Sequence, residues 1–140
     1  MGEQECFNKC RIKIAITAEK GDGGMDQAEK QNKMAAFAVE GMLYEVTATP
    51  KPGLVDRVNN GAHYDMDYFT FMSSAAALHT TFDEMVSAGV KSGEQNENIR
   101  ELLPALREIG KQAEDGMFAF TDGVNTHKGM IFSLGVLCGC

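Results

Sequence analysis

Thr49-Pro50-Lys51-Pro52-Gly53-Leu54-Val55-Asp56-Arg57-Val58-Asn59-Asn60-Gly61-Ala62-His63-Tyr64-Asp65-Met66-Asp67 is an irregular polar stretch between two segments of helical pattern. Each proline keeps the residue before it out of the α region, so a helix arriving from upstream has to stop here. Asn59-Asn60-Gly61 is turn chemistry, because Asn and Gly accept positive φ. A loop this long in a small helical protein is usually functional or disordered. Leu54, Val55, Val58, Tyr64 and Met66 ask for burial among charges that ask for partners, which is not how a disordered segment is composed. The stretch reads as an ordered active-site loop joining the first two helices of an all-α, multi-helix orthogonal bundle.

Upstream, a first helix covers about residues 26–46, with Asp26 as cap and Glu29 as its capping-box partner. Met34, Phe37, Ala38, Gly41, Met42 and Glu45 carry the spacing of an inward face. Glu45 would thus reach the buried side just before the loop, where a carboxylate needs a hydrogen bond, a cation or a metal. A salt bridge to Lys51 or Arg57 would satisfy it as well as a metal would. Downstream, Asp67 caps a second helix over about residues 68–88, closed by Gly89. Its small run Ser73-Ser74-Ala75-Ala76-Ala77 lets a neighbouring helix or a ligand approach. His79 reads as a core histidine and stays outside the site. Residues 91–98 form a solvated connection to a third helix, about 99–118, in which Leu102, Leu103, Leu106, Ile109, Ala113 and Met117 face inward. Pro104 either kinks this helix or begins it, and Glu114 and Asp115 lie on a solvated face.

Length and composition narrow the classes. The 140 residues suggest one domain, able to bury about two-thirds of its unfolded surface. A formal charge of −7 argues against a nucleic-acid binder, which would show a basic face. It leaves a phosphorylated small molecule open, since local lysines or a divalent cation reverse the field. Residues 130–140 carry no charge and have no polar face. They are too few to span a membrane and belong inside a larger core. The expected partner is a second copy of the chain or a separate C-terminal half. Cys6, Cys10, Cys138 and Cys140 lack zinc-site spacing, and no secretory segment precedes them, so they read as free thiols in a reducing cytoplasm. Residues 1–24 read as a flexible leader and 25–140 as the folded part.

Two clusters carry chemistry. In an extended loop His63, Asp65 and Asp67 share one side, a donor set that suits Mg²⁺, which takes one or two carboxylates plus substrate phosphates. Asp67 as a plain cap and His63 as a loop hydrogen-bonder is the simpler alternative. Near the end of the chain, Asn125 or Thr126 caps a helix whose first turn holds His127, Lys128 and Gly129. Free N–H groups, a cation and a glycine make a phosphate site there, with the Lys128 charge outweighing the helix dipole. A plain capped helix would look the same. Taken together, these residues point to an enzyme for a phosphorylated, nucleotide-like substrate, with Glu45, Asp56, His63, Asp65 and Lys128 converging.

Three motifs then carry a resemblance. They are Glu45 with Pro50-Lys51-Pro52-Gly53-Leu54-Val55-Asp56, Gly61-Ala62-His63-x-Asp65-Met66, and Thr121-x-Gly123-Val124-Asn125-Thr126-His127-Lys128-Gly129-x-Ile131-Phe132. From about Met34 to Cys140 the chain closely resembles the triphosphoribosyl-dephospho-CoA synthase family; residues 1–24 are not covered. The resemblance implies an all-helical transferase that moves the triphosphoribosyl part of ATP to dephospho-CoA and releases adenine, for the prosthetic group of citrate lyase or malonate decarboxylase. Family members are longer, with further polar motifs in a second half, so this chain looks like the N-terminal half. The chemistry so implied asks for Mg²⁺ with the triphosphate, carboxylates beside oxocarbenium-like charge, and a base for the attacking hydroxyl. It gives His63, Asp65 and Asp56 to catalysis, with His63 as base. Glu45, Asp65 and Asp67 go to the metal, and Lys51, Asn125, Thr126, His127, Lys128 and Gly129 to substrate. An all-helical Mg²⁺-dependent nucleotide pyrophosphohydrolase and a non-catalytic partner-binding module are the competing classes.

Overall fold

A computed structural model describes residues 25–95 and 99–140. The leader reading of residues 1–24, with Cys6 and Cys10, lies outside the described residues. Five helices are present among them: α1 Gln27–Thr47, α2 Tyr68–Ala77, α3 His79–Glu94, α4 Ile99–Phe120 and α5 Lys128–Gly139. No strand occurs among the described residues, so the fold is all-α.

α1 begins at the expected capping box, with the Glu29 N–H donating to Asp26 Oδ1 and the Asp26 N–H to Glu29 Oε2. Its buried stripe is Ala35, Ala38, Met42 and Val46, one step round from the expected face. Met34 is exposed and the Glu45 side chain is 38% exposed. The small residues on the true inner face are what bring α1 against α3. Extended backbone at Ala48 then ends the helix.

The single helix expected after the loop is two. α2 stops where the Leu78 N–H bonds back to the Ala75 carbonyl in one tightened turn, and α3 starts at His79. Neither Gly nor Pro marks the break. Leu78 itself is buried, beside Ala75, Phe82, Met85 and Val86. Gly89 does not close the helix, which runs on to Glu94 with Ser92 buried. The glycine serves packing instead, because a Cβ there would collide with the Gly139 backbone of α5. Pro104 lies inside α4, whose inner face is Leu102, Leu106, Ala113 and Met117, while Leu103 is exposed. α5 packs on α3 and α4 through Ile131, Gly135 and Gly139, leaving Phe132 and Leu137 on its outer side at 75% and 70% exposure. Met42, Ala75, Leu78, Phe82, Met85, Leu106, Met117 and Ile131 thus form one core to which every helix contributes. Each such fully buried side chain contributes about 1.5–3 kcal/mol. Among the described residues no helix is long and apolar enough to cross a membrane.

Candidate active site

The 48–67 loop is organised from beneath by Asp56, which is 1% exposed. Its Oδ1 accepts from the Val58 and Asn59 N–H groups at 2.7 and 2.9 Å, and its Oδ2 from Thr49 Oγ1 at 2.9 Å and the Lys51 N–H at 3.1 Å. The Val58 and Asn59 N–H groups hold its pKa down to about 2, against the opposing effect of burial. The Ala62 N–H donates to the Gly53 carbonyl, closing a second turn. At that crossing Gly61 has φ +58°, and a Cβ on it would lie 2.5 Å from the Gly53 carbonyl carbon, so only glycine fits. Of the loop's apolar residues, Val55 is the buried plug and Met66 is half-buried. Leu54, Val58 and Tyr64 are exposed, contrary to expectation, because the turns pack backbone against backbone and leave these side chains outside.

Two hollows border this loop. The first, about 260 Å³, is lined by Glu45, Lys51, His63, Asn125, Thr126 and His127, with Phe71, Met66 and Met130 as apolar walls. Lys51 Nζ and Glu45 Oε1 form an ion pair at 2.8 Å, so Glu45 takes the salt bridge that the sequence left open. His127 is 2% exposed, with Nδ1 2.8 Å from Ser74 Oγ and its ring edge-on to Phe71. Burial, followed by the nearby Lys51 charge, lowers its pKa to about 4, so the ring is neutral at pH 7. Among the described residues its Nε2 is buried without a partner. The second hollow, about 300 Å³, is lined by Asp65, Asp67, Thr70, Ser73, Thr121 and Asp122, with Phe69 and Phe120. His63 Nδ1 lies 3.7 Å from Asp65 Oδ1, linking a wall of the first hollow to a wall of the second.

The expected convergence is therefore partial. Glu45, Lys51, His63, Asn125, Thr126 and His127 meet. Asp56 lines neither hollow, because its oxygens are taken up in shaping the loop. Lys128 lines neither, since its Nζ pairs with Glu114 Oε2 at 2.8 Å on the α4 side, and Gly129 is exposed beside it. The cap of α5 is His127 rather than Asn125 or Thr126, and it makes no side-chain cap bond, so the helix starts one residue later than expected; Asn125 Oδ1 accepts only a long bond, 3.4 Å, from the Lys128 N–H. Glu45, Asp65 and Asp67 do not fit a resident Mg²⁺ as one ligand set. Glu45 stands in the other hollow, and Asp67 Oδ1 already accepts from the Thr70 N–H and Oγ1, which also lower its pKa. No group of three or more His, Cys, Asp or Glu among the described residues is arranged to hold a metal. Cys138 and Cys140 are free thiols, the former pushed up to about 11 by burial. Sequence reasoning missed Ser74, whose only signal was a hydroxyl inside a small-residue run. It also missed Thr49, and read Glu114 as merely solvated.

The chain has clear relatives. Residues 31–140 match the CitG family, ATP:dephospho-CoA triphosphoribosyl transferase. A probable 2-(5''-triphosphoribosyl)-3'-dephosphocoenzyme-A synthase of Vibrio cholerae serotype O1 is 56% identical over 103 residues, 74% of this chain and 32% of that protein. One of the same name from Streptococcus mutans serotype c is 44% identical over 115 residues, 82% of this chain and 38% of that protein. Protein CitXG of Leuconostoc mesenteroides subsp. cremoris is 46% identical over 107 residues, 76% of this chain and 22% of that protein. The chain spans about a third of the length of the two synthases. No solved structure matches. With the family match covering all five helices but the first turn of α1, the chain belongs to the ATP:dephospho-CoA triphosphoribosyl transferase family.

Proposed function

We propose that the chain takes part in transferring the triphosphoribosyl group of ATP to dephospho-CoA, with the first hollow as its nucleotide site. In that reaction the anomeric carbon–nitrogen bond of ATP breaks and adenine leaves with a proton. A ribose hydroxyl of dephospho-CoA bonds to the anomeric carbon and gives up its own proton. One observation carries the reading: the hollow sets a cation, a carboxylate and a neutral buried imidazole together beside a rigid loop. Lys51 holds phosphate oxygens. Glu45, half-exposed, faces the positive charge that grows on the sugar. His63, oriented by Asp65, takes the hydroxyl proton. Magnesium enters with the nucleotide as its salt and neutralises triphosphate charge, Asp65 being a carboxylate open to it at the rim. The citrate lyase setting, a cytoplasmic location and a copy or separate half covering α5 belong to the same proposal.

The test is product analysis with Mg²⁺, ATP and dephospho-CoA, alongside ATP calorimetry. Free adenine is the expected product. Lys51→Ala is expected to weaken ATP binding by about tenfold or more, the scale of a charge-assisted hydrogen bond, with Lys91→Ala as control. Nucleoside monophosphate in place of adenine would make the chain a hydrolase, and absence of binding heat would make it a non-catalytic module.

A further inference from the structure

Ser74 lies in the middle of α2, fully buried, yet it is a hydroxyl surrounded by core. It holds two polar groups that come from the far end of the chain. Thr126 Oγ1 donates to Ser74 Oγ at 2.7 Å, and Ser74 Oγ lies 2.8 Å from His127 Nδ1. The direction of the first bond decides the second. With Thr126 supplying a proton to Ser74, the Ser74 proton goes to Nδ1, its one acceptor among the described hydrogen bonds. A proton on Nδ1 would instead leave the buried Ser74 proton unpaired and Nε2 as a bare buried lone pair, two unsatisfied groups rather than one. The orphan atom is therefore an N–H, in a ring that lines the same hollow as Lys51 and Thr126.

We propose that Ser74 is a positioning residue: it fixes His127 as the Nε2–H tautomer and makes one wall of the first hollow a neutral hydrogen-bond donor for an acceptor atom of the bound nucleotide. The ligand half of this inference rests on the nucleotide reading above. The shared chemistry is a lone pair, which a triphosphate oxygen or a purine ring nitrogen supplies equally. A neutral donor complements Lys51, because it binds an acceptor without adding a second full charge beside the cation. It also accounts for a buried imidazole whose second nitrogen would otherwise be desolvated without return.

Imidazole ¹H–¹⁵N correlation spectra of the ¹⁵N-labelled chain test both halves. At pH 7, His127 is expected to show a protonated Nε2 and an unprotonated Nδ1. Ser74→Ala is expected to draw the two nitrogen shifts towards each other as the tautomers mix, and to weaken ATP binding several-fold. Saturating ATP is expected to move the Nε2–H resonance of the unaltered chain, a readout independent of whether the variant folds. Inorganic triphosphate reproducing that shift assigns the acceptor to phosphate, and adenosine reproducing it assigns the purine. A wild-type ring protonated on Nδ1 or on both nitrogens would overturn the proposal, as would a Ser74→Ala chain, still folded, with an unchanged tautomer. Binding heat from ATP with an unmoved Nε2–H would overturn the ligand half and leave the nucleotide reading standing. No heat at all would remove the nucleotide reading and the ligand half together, while the tautomer spectrum still reports on Ser74.

Discussion

Gly61 and His127 show how much one residue decides in this molecule. At Gly61 positive φ and backbone contact coincide, so Gly61→Ala is expected to cost about 2–4 kcal/mol in urea unfolding, more than an ordinary surface change. His127 sets a pH dependence. Its folded pKa, about 4, lies below the ordinary 6.5, so acid protonates the unfolded chain first and draws the equilibrium away from the fold. Stability is expected to fall as pH drops from 6.5 to about 4, by on the order of 3 kcal/mol at about 1.4 kcal/mol per pH unit. Asp56 acts lower down: its contribution is whole above 3.8 and is lost as pH falls towards about 2. Urea melts between pH 7 and 4 should therefore show a slope that His127→Gln removes, whatever that variant's stability at neutral pH. The sequence marked both residues as special but did not show the loop-shaping part that Asp56 plays. An Asp that caps a loop and an Asp that does chemistry look alike in a string of letters, and the four donors around Asp56 show the first of these roles.

At the scale of elements, starts were legible and interruptions were not. Asp26 and Asp67 announce α1 and α2 by chemistry that acts within three residues, and both capping boxes form. The break at Leu78 has no such local cause. It is a tertiary outcome, set by how Ala75 and Phe82 share the core on either side. Gly89 misled for a related reason, because a glycine that stops a helix and one that admits a neighbouring backbone carry the same symbol. The crossing of α3 and α5 there is tight, so Gly89→Ala is expected to force the helices apart and cost about 2–4 kcal/mol, read as a lower urea midpoint at unchanged slope. Gly93→Ala, where a Cβ meets open space, is the matched control and is expected to be neutral or slightly stabilising.

For the molecule as a whole, the apolar outer side of α5 sets the expected association. Phe132 and Leu137 stand mostly exposed on a helix without a charged residue after Lys128. We expect self-association at micromolar concentration that Phe132→Ser with Leu137→Ser abolishes, measured by sedimentation. A monomer insensitive to both changes would retire the idea. The charge balance was legible but its distribution was not: Lys51 and Lys128, both assigned to phosphate, are each held by a carboxylate, and they stand in different places. The rigid loop has one further consequence for the intact chain, in its handling by proteases. Arg57 is exposed at the centre of a long irregular segment and looks like the natural first cut for trypsin. A protease, however, needs its substrate stretched through the active-site cleft, and the residues on both sides of Arg57 are tied to one buried carboxylate. The digest should therefore spare Arg57 until the whole fold opens, and a fragment joining α1 to α2 should outlast cleavage elsewhere.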